Sequence, residues 1–148
     1  MLPEPHDELR SATFRDLDTT TLYGILKLRA DVFITEQQCA YSELDGRDDE
    51  PGTRHVWLER DGEIRSYLRI LNDGDVQRIG RVVTAKSARG GGLSGRLMTE
   101  ALAIIGNRPS VLDAQAHLTK FYAKFGFEPT GPQFLEDGIP HVPMRREP

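Results

Sequence analysis

Residues 88 to 98 read "ARGGGLSGRLM", with glycines at 90, 91, 92 and 95 standing directly before Leu93, Leu97 and Met98. The apolar positions continue through Ala101, Leu102, Ile104 and Ile105 with a period near 3.6, which predicts a helix stopped by "GNRP". The preceding "VQRIGRVVT" is rich in Val and Ile and reads as a strand, and "SVLDA" after the helix reads as another. Strand, glycine loop, helix, strand in that order implies a parallel pair joined by a right-handed crossover. A plain connection in such a unit needs about 2–6 residues and gains nothing from the backbone entropy of four glycines.

The remaining elements fit round that unit. Thr19, Thr20 or Thr21 can cap a first helix carrying Leu22, Ile25, Leu26, Val32 and Phe33. Residues 37 to 54 are polar and turn-rich, and read as an exposed loop. "HVWLER" and "EIRSYLRIL" flank Asp61-Gly62, a dipeptide suited to a type I′ hairpin turn. A last helix, about residues 118 to 125, ends at Gly126, and strands around Phe127 and from His141 to Arg145 close the chain. The fold class expected is α/β: a mixed, mostly antiparallel sheet with helices on both faces, in a single domain spanning residues 1–148 with residues 1–12 as a loose tail.

Composition excludes several classes. With 38% hydrophobic and 28% charged residues the chain is neither disordered nor fibrous, and no run approaches a membrane span or an export signal. The single cysteine, Cys39, reads as a small packed side chain and points to the cytoplasm; no cysteine-based metal site is implied. A net charge of −4 disfavours a nucleic-acid partner, yet it hides local asymmetry. Residues 78 to 96 hold five basic residues and no acid, whereas residues 43 to 50 hold five acids against Arg47. That acidic run is read as a solvated loop, with attraction of a cationic amine as the alternative. It lacks the ligand alternation of a calcium loop, so no metal is expected.

Glycines before a helix let an anion approach unpaired backbone N–H groups at the positive end of the helix dipole. Arg89 adds a full charge, so the segment reads as a phosphate cradle. It is not a P-loop, because Gly95 is followed by Arg96-Leu97 and not by Lys-Ser/Thr. A dinucleotide fingerprint forced onto Gly90, Gly92 and Gly95 fits poorly, since no βαβ unit opens the chain.

"VVTAKSARGGGLSGRLM" followed by "AQAHLTKFYAKFGF" resembles the GCN5-related N-acetyltransferase (GNAT) superfamily. "LRADVFITEQQCAYSELDG", "RHVWL", "RILNDG", "IGRVVT" and "EDGIPHVPM" are similar, more narrowly, to the ElaA subgroup of bacterial acetyltransferases. The resemblance implies an N-acetyltransferase using acetyl-CoA as cosubstrate, with its pantetheine arm along Val82, Val83 and Thr84. Its pyrophosphate would lie on Arg89, Gly90, Gly91, Gly92, Leu93, Ser94 and Gly95. The chain departs from the family signature at Ser94, where Gly or Ala is usual, with Gly95 one place later.

By the same resemblance, Tyr122 is the general acid that returns a proton to the CoA thiolate; its alternative role is aromatic core, beside Phe121 and Phe125. The strand carboxylate that serves many relatives as general base has no counterpart in Val76-Gln77-Arg78-Ile79-Gly80-Arg81. Glu36, on the acceptor side, is the chosen catalytic base, with a helix-end or ion-pairing carboxylate as its alternative role; His117, which reads equally as a packed or capping histidine, and Asp45 are the other candidates. Asp45, His117 and His141 are expected to line the pocket for a primary amine of a small molecule, peptide or protein. Relatives often dimerise, which makes a homodimer an expectation. The rival reading is a non-catalytic acyl-CoA-binding or sensing module.

Overall fold

The computed structural model describes residues 6–38 and 42–148, so the reading of Cys39 lies outside the described residues. Eight strands form one mixed sheet: β1 (Glu8–Thr13), β2 (Arg54–Arg60), β3 (Glu63–Asn72), β4 (Gln77–Thr84), β5 (Ser110–Gln115), β6 (Glu128–Pro129), β7 (Phe134–Glu136) and β8 (Ile139–Arg146). The order is β1-β2-β3-β4-β5-β8-β6, with β7 also paired to β8. All pairings are antiparallel except β4 with β5.

The helices α1 (Thr19–Arg29) and α2 (Leu93–Ile105) cover opposite faces, and a short α3 (Thr119–Ala123) follows β5. Leu97, Met98 and Ala101 of α2 pack on Val56, Leu58, Leu68 and Ile70. Ile25 and Leu28 of α1, with Val32 and Phe33 beyond it, pack on Trp57, Tyr67 and Val83. Neighbouring residues Val56 and Trp57 thus serve different cores, as strand alternation requires. The β2–β3 hairpin turns at Asp61 (φ 52°) and Gly62 (φ 79°), the left-handed pair expected of that dipeptide. Among the described residues no helix is long and apolar enough to cross a membrane.

Three expectations are corrected. Residues 8 to 12 are no loose tail: Glu8 to Thr13 pair with Glu59 to Arg54 as an edge strand, and Asp7 holds Arg60 and Arg65 at 3.0 and 2.7 Å. "ELRSAT" hides this because most of its side chains face water, so no apolar alternation marks it. The cap of α1 is Asp18, not a threonine; its carboxylate accepts from the Thr21 N–H at 2.6 Å. A charged acceptor one residue earlier matches the helix dipole better than a hydroxyl. As the positions of Val32 and Phe33 predict, the helical path continues past Arg29, here as a π-helical stretch, Ala30–Glu36, with the Gln37 N–H donating to the Val32 carbonyl.

The third correction concerns residues 43 to 50, where Glu43 and Asp48 are buried instead of solvated. Arg29 is 0% exposed and donates to Glu43 at 2.8 Å and to Asp48 at 2.7 Å. Arg69 reaches Asp45 and Asp48, and Arg81 reaches Glu43 and Asp45. Three guanidinium groups therefore neutralise three carboxylates, which leaves these acids little field with which to attract an amine. The signal in the sequence was Arg29 itself, placed on the inward stripe of α1 between Ile25 and Val32, where a charge needs a buried partner.

His55 is buried beside this cluster. Its Nε2 donates to the Asp48 carbonyl at 2.9 Å, and its Nδ1 accepts from the Tyr67 hydroxyl at 2.6 Å, so the ring is satisfied when neutral. Burial pushes its pKa down. Desolvation opposes ionisation of Asp48, but hydrogen bonds and charge from Arg29 and Arg69 hold its pKa below the ordinary range.

Removing Arg29 takes one of two arginine partners from each of two buried acids, so Arg29→Leu should cost about 3 kcal/mol in urea unfolding, the low end for breaking a buried pair. Both lowered pKa values act in one direction: the unfolded chain binds the extra protons. Stability should therefore fall as pH drops through about 6.5, where His55 charges only in the unfolded state, and further below about 4 through Asp48. Urea midpoints from pH 8 to 4 check this; a flat profile from 7 to 5 would contradict it.

Candidate active site

The parallel strands β4 and β5 pair only at Gln77 with Ser110 and Arg78 with Val111. Beyond that point β4 is bulged: its register against β3 shifts between Tyr67 and Arg69, and Arg81 adopts a left-handed φ of 53°. Such a backbone costs a non-glycine residue about 1–3 kcal/mol, and here the Arg81 side chain is anchored by Glu43 and Asp45. The strands diverge, and a cleft of about 740 Å³ opens between them.

One edge of β4 faces that cleft. The Ala85 N–H donates to the Arg65 carbonyl at 2.8 Å, so the alternation of an antiparallel pair directs Val83 toward Tyr67. Val82 and Thr84 then present their backbone groups to the cleft. Val83, with its side chain in the α1 core, contributes less than its neighbours to that edge.

The glycine segment lies at the end of the same strand. Gly92 caps α2 with φ 77°, Gly90 has φ 89°, and an added Cβ at either would meet no atom within 4 Å. The first α2 bond is from the Arg96 N–H to the Gly92 carbonyl at 3.2 Å, which leaves the N–H groups of Leu93, Ser94 and Gly95 without intrahelical acceptors. Open space over left-handed glycines and three outward N–H groups fit a diphosphate.

Ser94 has a definite task. Ser66 donates its one hydroxyl proton to the Val83 carbonyl at 2.9 Å, so it must accept from Thr84 at 2.7 Å, and Thr84 in turn accepts from Ser94 at 2.8 Å. This three-hydroxyl chain ties the start of α2 to the end of β4. A glycine or alanine in place of Ser94 would leave the chain without its first donor.

Ten of the residues singled out from the sequence share the cleft wall: Glu36, Asp45, Val82, Val83, Thr84, Arg89, Ser94, His117, Tyr122 and His141. Gly90, Gly91, Gly92, Leu93 and Gly95 are not part of that wall. Gly90 to Leu93 run between Arg89 and Ser94, with Leu93 sending its side chain into the core, and Gly95 follows Ser94 in the first turn of α2.

The geometry ranks the candidate proton carriers. Tyr122 is buried, and desolvation raises its pKa to about 12, so its phenol keeps its proton at every ordinary pH. Glu36 is engaged by Arg89 through both oxygens at 2.8 and 2.9 Å, and that hydrogen bonding lowers its pKa. Asp45, hydrogen-bonded by Arg69 and close to Arg81, is held far below the carboxylate range, which makes it a poor base. His117 is exposed at the start of the last helical segment. His141 differs: its Nδ1 must donate to the Ile139 carbonyl at 2.7 Å, so in the neutral ring Nε2 carries the free lone pair. Phe134 stacks on the ring and Glu136 stands 3.9 Å from Nε2.

The acetyltransferase (GNAT) domain model matches residues 19–148. The chain belongs to the GNAT family. A UPF0039 protein of Mycobacterium tuberculosis is 52% identical over 145 residues, covering 95% of this chain and 93% of its own. An acyl-CoA N-acyltransferase from Pseudomonas aeruginosa superposes with a TM-score of 0.91 at 40% identity, covering 95% of this chain and 99% of that one. Escherichia coli ElaA superposes at 0.90 with 36% identity, covering 96% and 100%, which places this GNAT protein with the ElaA subgroup.

The sequence reading missed Gln115, on β5, whose amide donates to Gln37 across the cleft at 3.3 Å, and Arg69, whose charge sits in the cleft wall of this GNAT fold. A single Arg inside the apolar run "YLRIL" was the available signal for Arg69; Gln115 had none. Thr84→Val should break the hydroxyl chain, taking from Ser66 the bond it accepts and from Ser94 its acceptor, and lower unfolding free energy by about 1–3 kcal/mol in urea titration.

Proposed function

We propose that this protein is an acyl-CoA-dependent N-acyltransferase that moves an acetyl group to a primary amine. The observation that carries the reading is the meeting, in one cleft, of an unpaired strand edge at Val82 and Thr84 with a glycine-capped helix start. An extended pantetheine amide chain suits the first, and a diphosphate suits the second. The Pseudomonas relative named as an acyl-CoA N-acyltransferase adds support at 40% identity.

Acyl-CoA supplies an acyl group already activated as a thioester. The protein must hold a neutral amine against it, stabilise the oxygen charge that develops, and return a proton to the thiolate. The N–H of Val82 or Thr84, directed away from β3, is placed to donate to that oxygen. Tyr122 donates the proton: an apolar setting that keeps its pKa at about 12 keeps the phenol neutral and protonated. His141 takes the amine proton at Nε2, since its Nδ1–H is committed to Ile139. Glu36, with or without Arg89, is a carboxylate and so a weaker base than an imidazole, and Asp45 is weakened further by its two arginines.

Calorimetric titration with acetyl-CoA, followed by thiol release over a panel of amines, tests the reading. Binding with turnover is expected; binding with no thiol release for any amine would assign a non-catalytic acyl-CoA-binding module instead. Tyr122→Phe should lower kcat by about 10²-fold or more with acetyl-CoA affinity nearly unchanged, and equal activity would remove Tyr122 as the acid. Gly92→Glu should abolish binding, because it strains a left-handed backbone (φ 77°) and sets a negative charge against the phosphates.

A further inference from the structure

The end of the π-helical stretch reaches both lips of the cleft. Glu36 binds the glycine segment through Arg89, and the next residue, Gln37, is bonded to Gln115 on β5. Arg89 is fully engaged: one terminal nitrogen meets each Glu36 oxygen, while Nε donates to the Thr84 carbonyl at 3.2 Å. Both engagements fall where acyl-CoA would bind. The Thr84 carbonyl belongs to the strand edge proposed for the pantetheine arm, and Arg89 is the cation beside the diphosphate cradle.

We infer that the Glu36–Arg89 pair is a latch across the cofactor groove, opened when a diphosphate takes Arg89 and thereby releases the Thr84 carbonyl and the Glu36 carboxylate. This inference rests on the acyl-CoA reading above. The exchange is favourable because a diphosphate offers a guanidinium more charge than one carboxylate and the same two-pronged geometry. It is also easily made, because both partners are over a third exposed and such pairs are weak. Opening has a consequence on the acceptor side. Once Arg89 has moved, Glu36 becomes an unpaired anion lining the cleft, suited to hold the ammonium form of the acceptor before deprotonation. Glu36 is then a positioning residue, and the amine site is complete only after acyl-CoA has bound.

Coenzyme A titrations of the wild type, Glu36→Gln, Arg89→Ala and the double variant test the latch, with thermal midpoints confirming that each is folded. Glu36→Gln should bind coenzyme A about two- to fivefold tighter than the wild type, the amount by which an exposed ion pair restrains Arg89. In the Arg89→Ala background the same change should have almost no effect. Equal tightening in both backgrounds would mean simple repulsion between Glu36 and the phosphates, and would overturn the latch. Unchanged or weaker binding by Glu36→Gln would overturn it as well. A wild type that binds no coenzyme A at millimolar concentration would remove the acyl-CoA reading and the latch together, whereas binding without coupling would remove the latch alone.

Discussion

The early parting of β4 from β5 governs the rest of the molecule. A parallel pair buried between helices would normally continue its ladder for the length of both strands, because every unpaired backbone group in such a place carries a desolvation cost. Here the ladder ends after two residue pairs. The Arg81 bulge turns β4 away, and β5 continues instead with β8, its antiparallel partner along its whole length. The gap between them exposes a stretch of strand edge inside the protein. An edge of that kind is complete only when another extended chain adds to it, which is the basis of the acyl-CoA reading.

The bulge needs support, and the buried ion cluster supplies it. Arg81 reaches across to Glu43 and Asp45, which also serve Arg29 on α1 and Arg69 on β3. A helix, two strands and a loop are thus joined by charges that no single element could satisfy. Buried ion pairs seldom add net stability over apolar packing of the same volume, because desolvation offsets their attraction. Their effect here is geometric: each carboxylate is paired with more than one arginine, which holds the loop over the bulge.

A second set of polar contacts sets the cleft's own dimensions. The hydroxyl chain from Ser94 through Thr84 to Ser66 fixes the helix start against the strand end, at the corner between the open edge of β4 and the glycine segment. Glu36 with Arg89, and Gln37 with Gln115, join the opposite lips. The first set is part-buried with every proton assigned, whereas the Glu36–Arg89 contact is exposed. Rigid and yielding contacts are therefore placed where a binding reaction needs each.

Much of this was legible in the residue order. The glycines before an apolar 3.6-residue pattern determined a helix start with free N–H groups, and Asp61-Gly62 determined a hairpin. These are local features, decided by backbone sterics and periodicity within a few residues. The partners of Arg29, Arg69 and Arg81 were not legible, nor was the pairing of residues 8 to 13. An exposed acidic loop and a buried one have the same composition, and an edge strand has no pattern of its own. The tertiary structure alone decided which charges are neutralised and which proton carrier is free. A carboxylate becomes a base, an anchor or a strut according to the cation beside it, and that neighbour is chosen by the fold across 53 residues of chain in the case of Glu36 and Arg89.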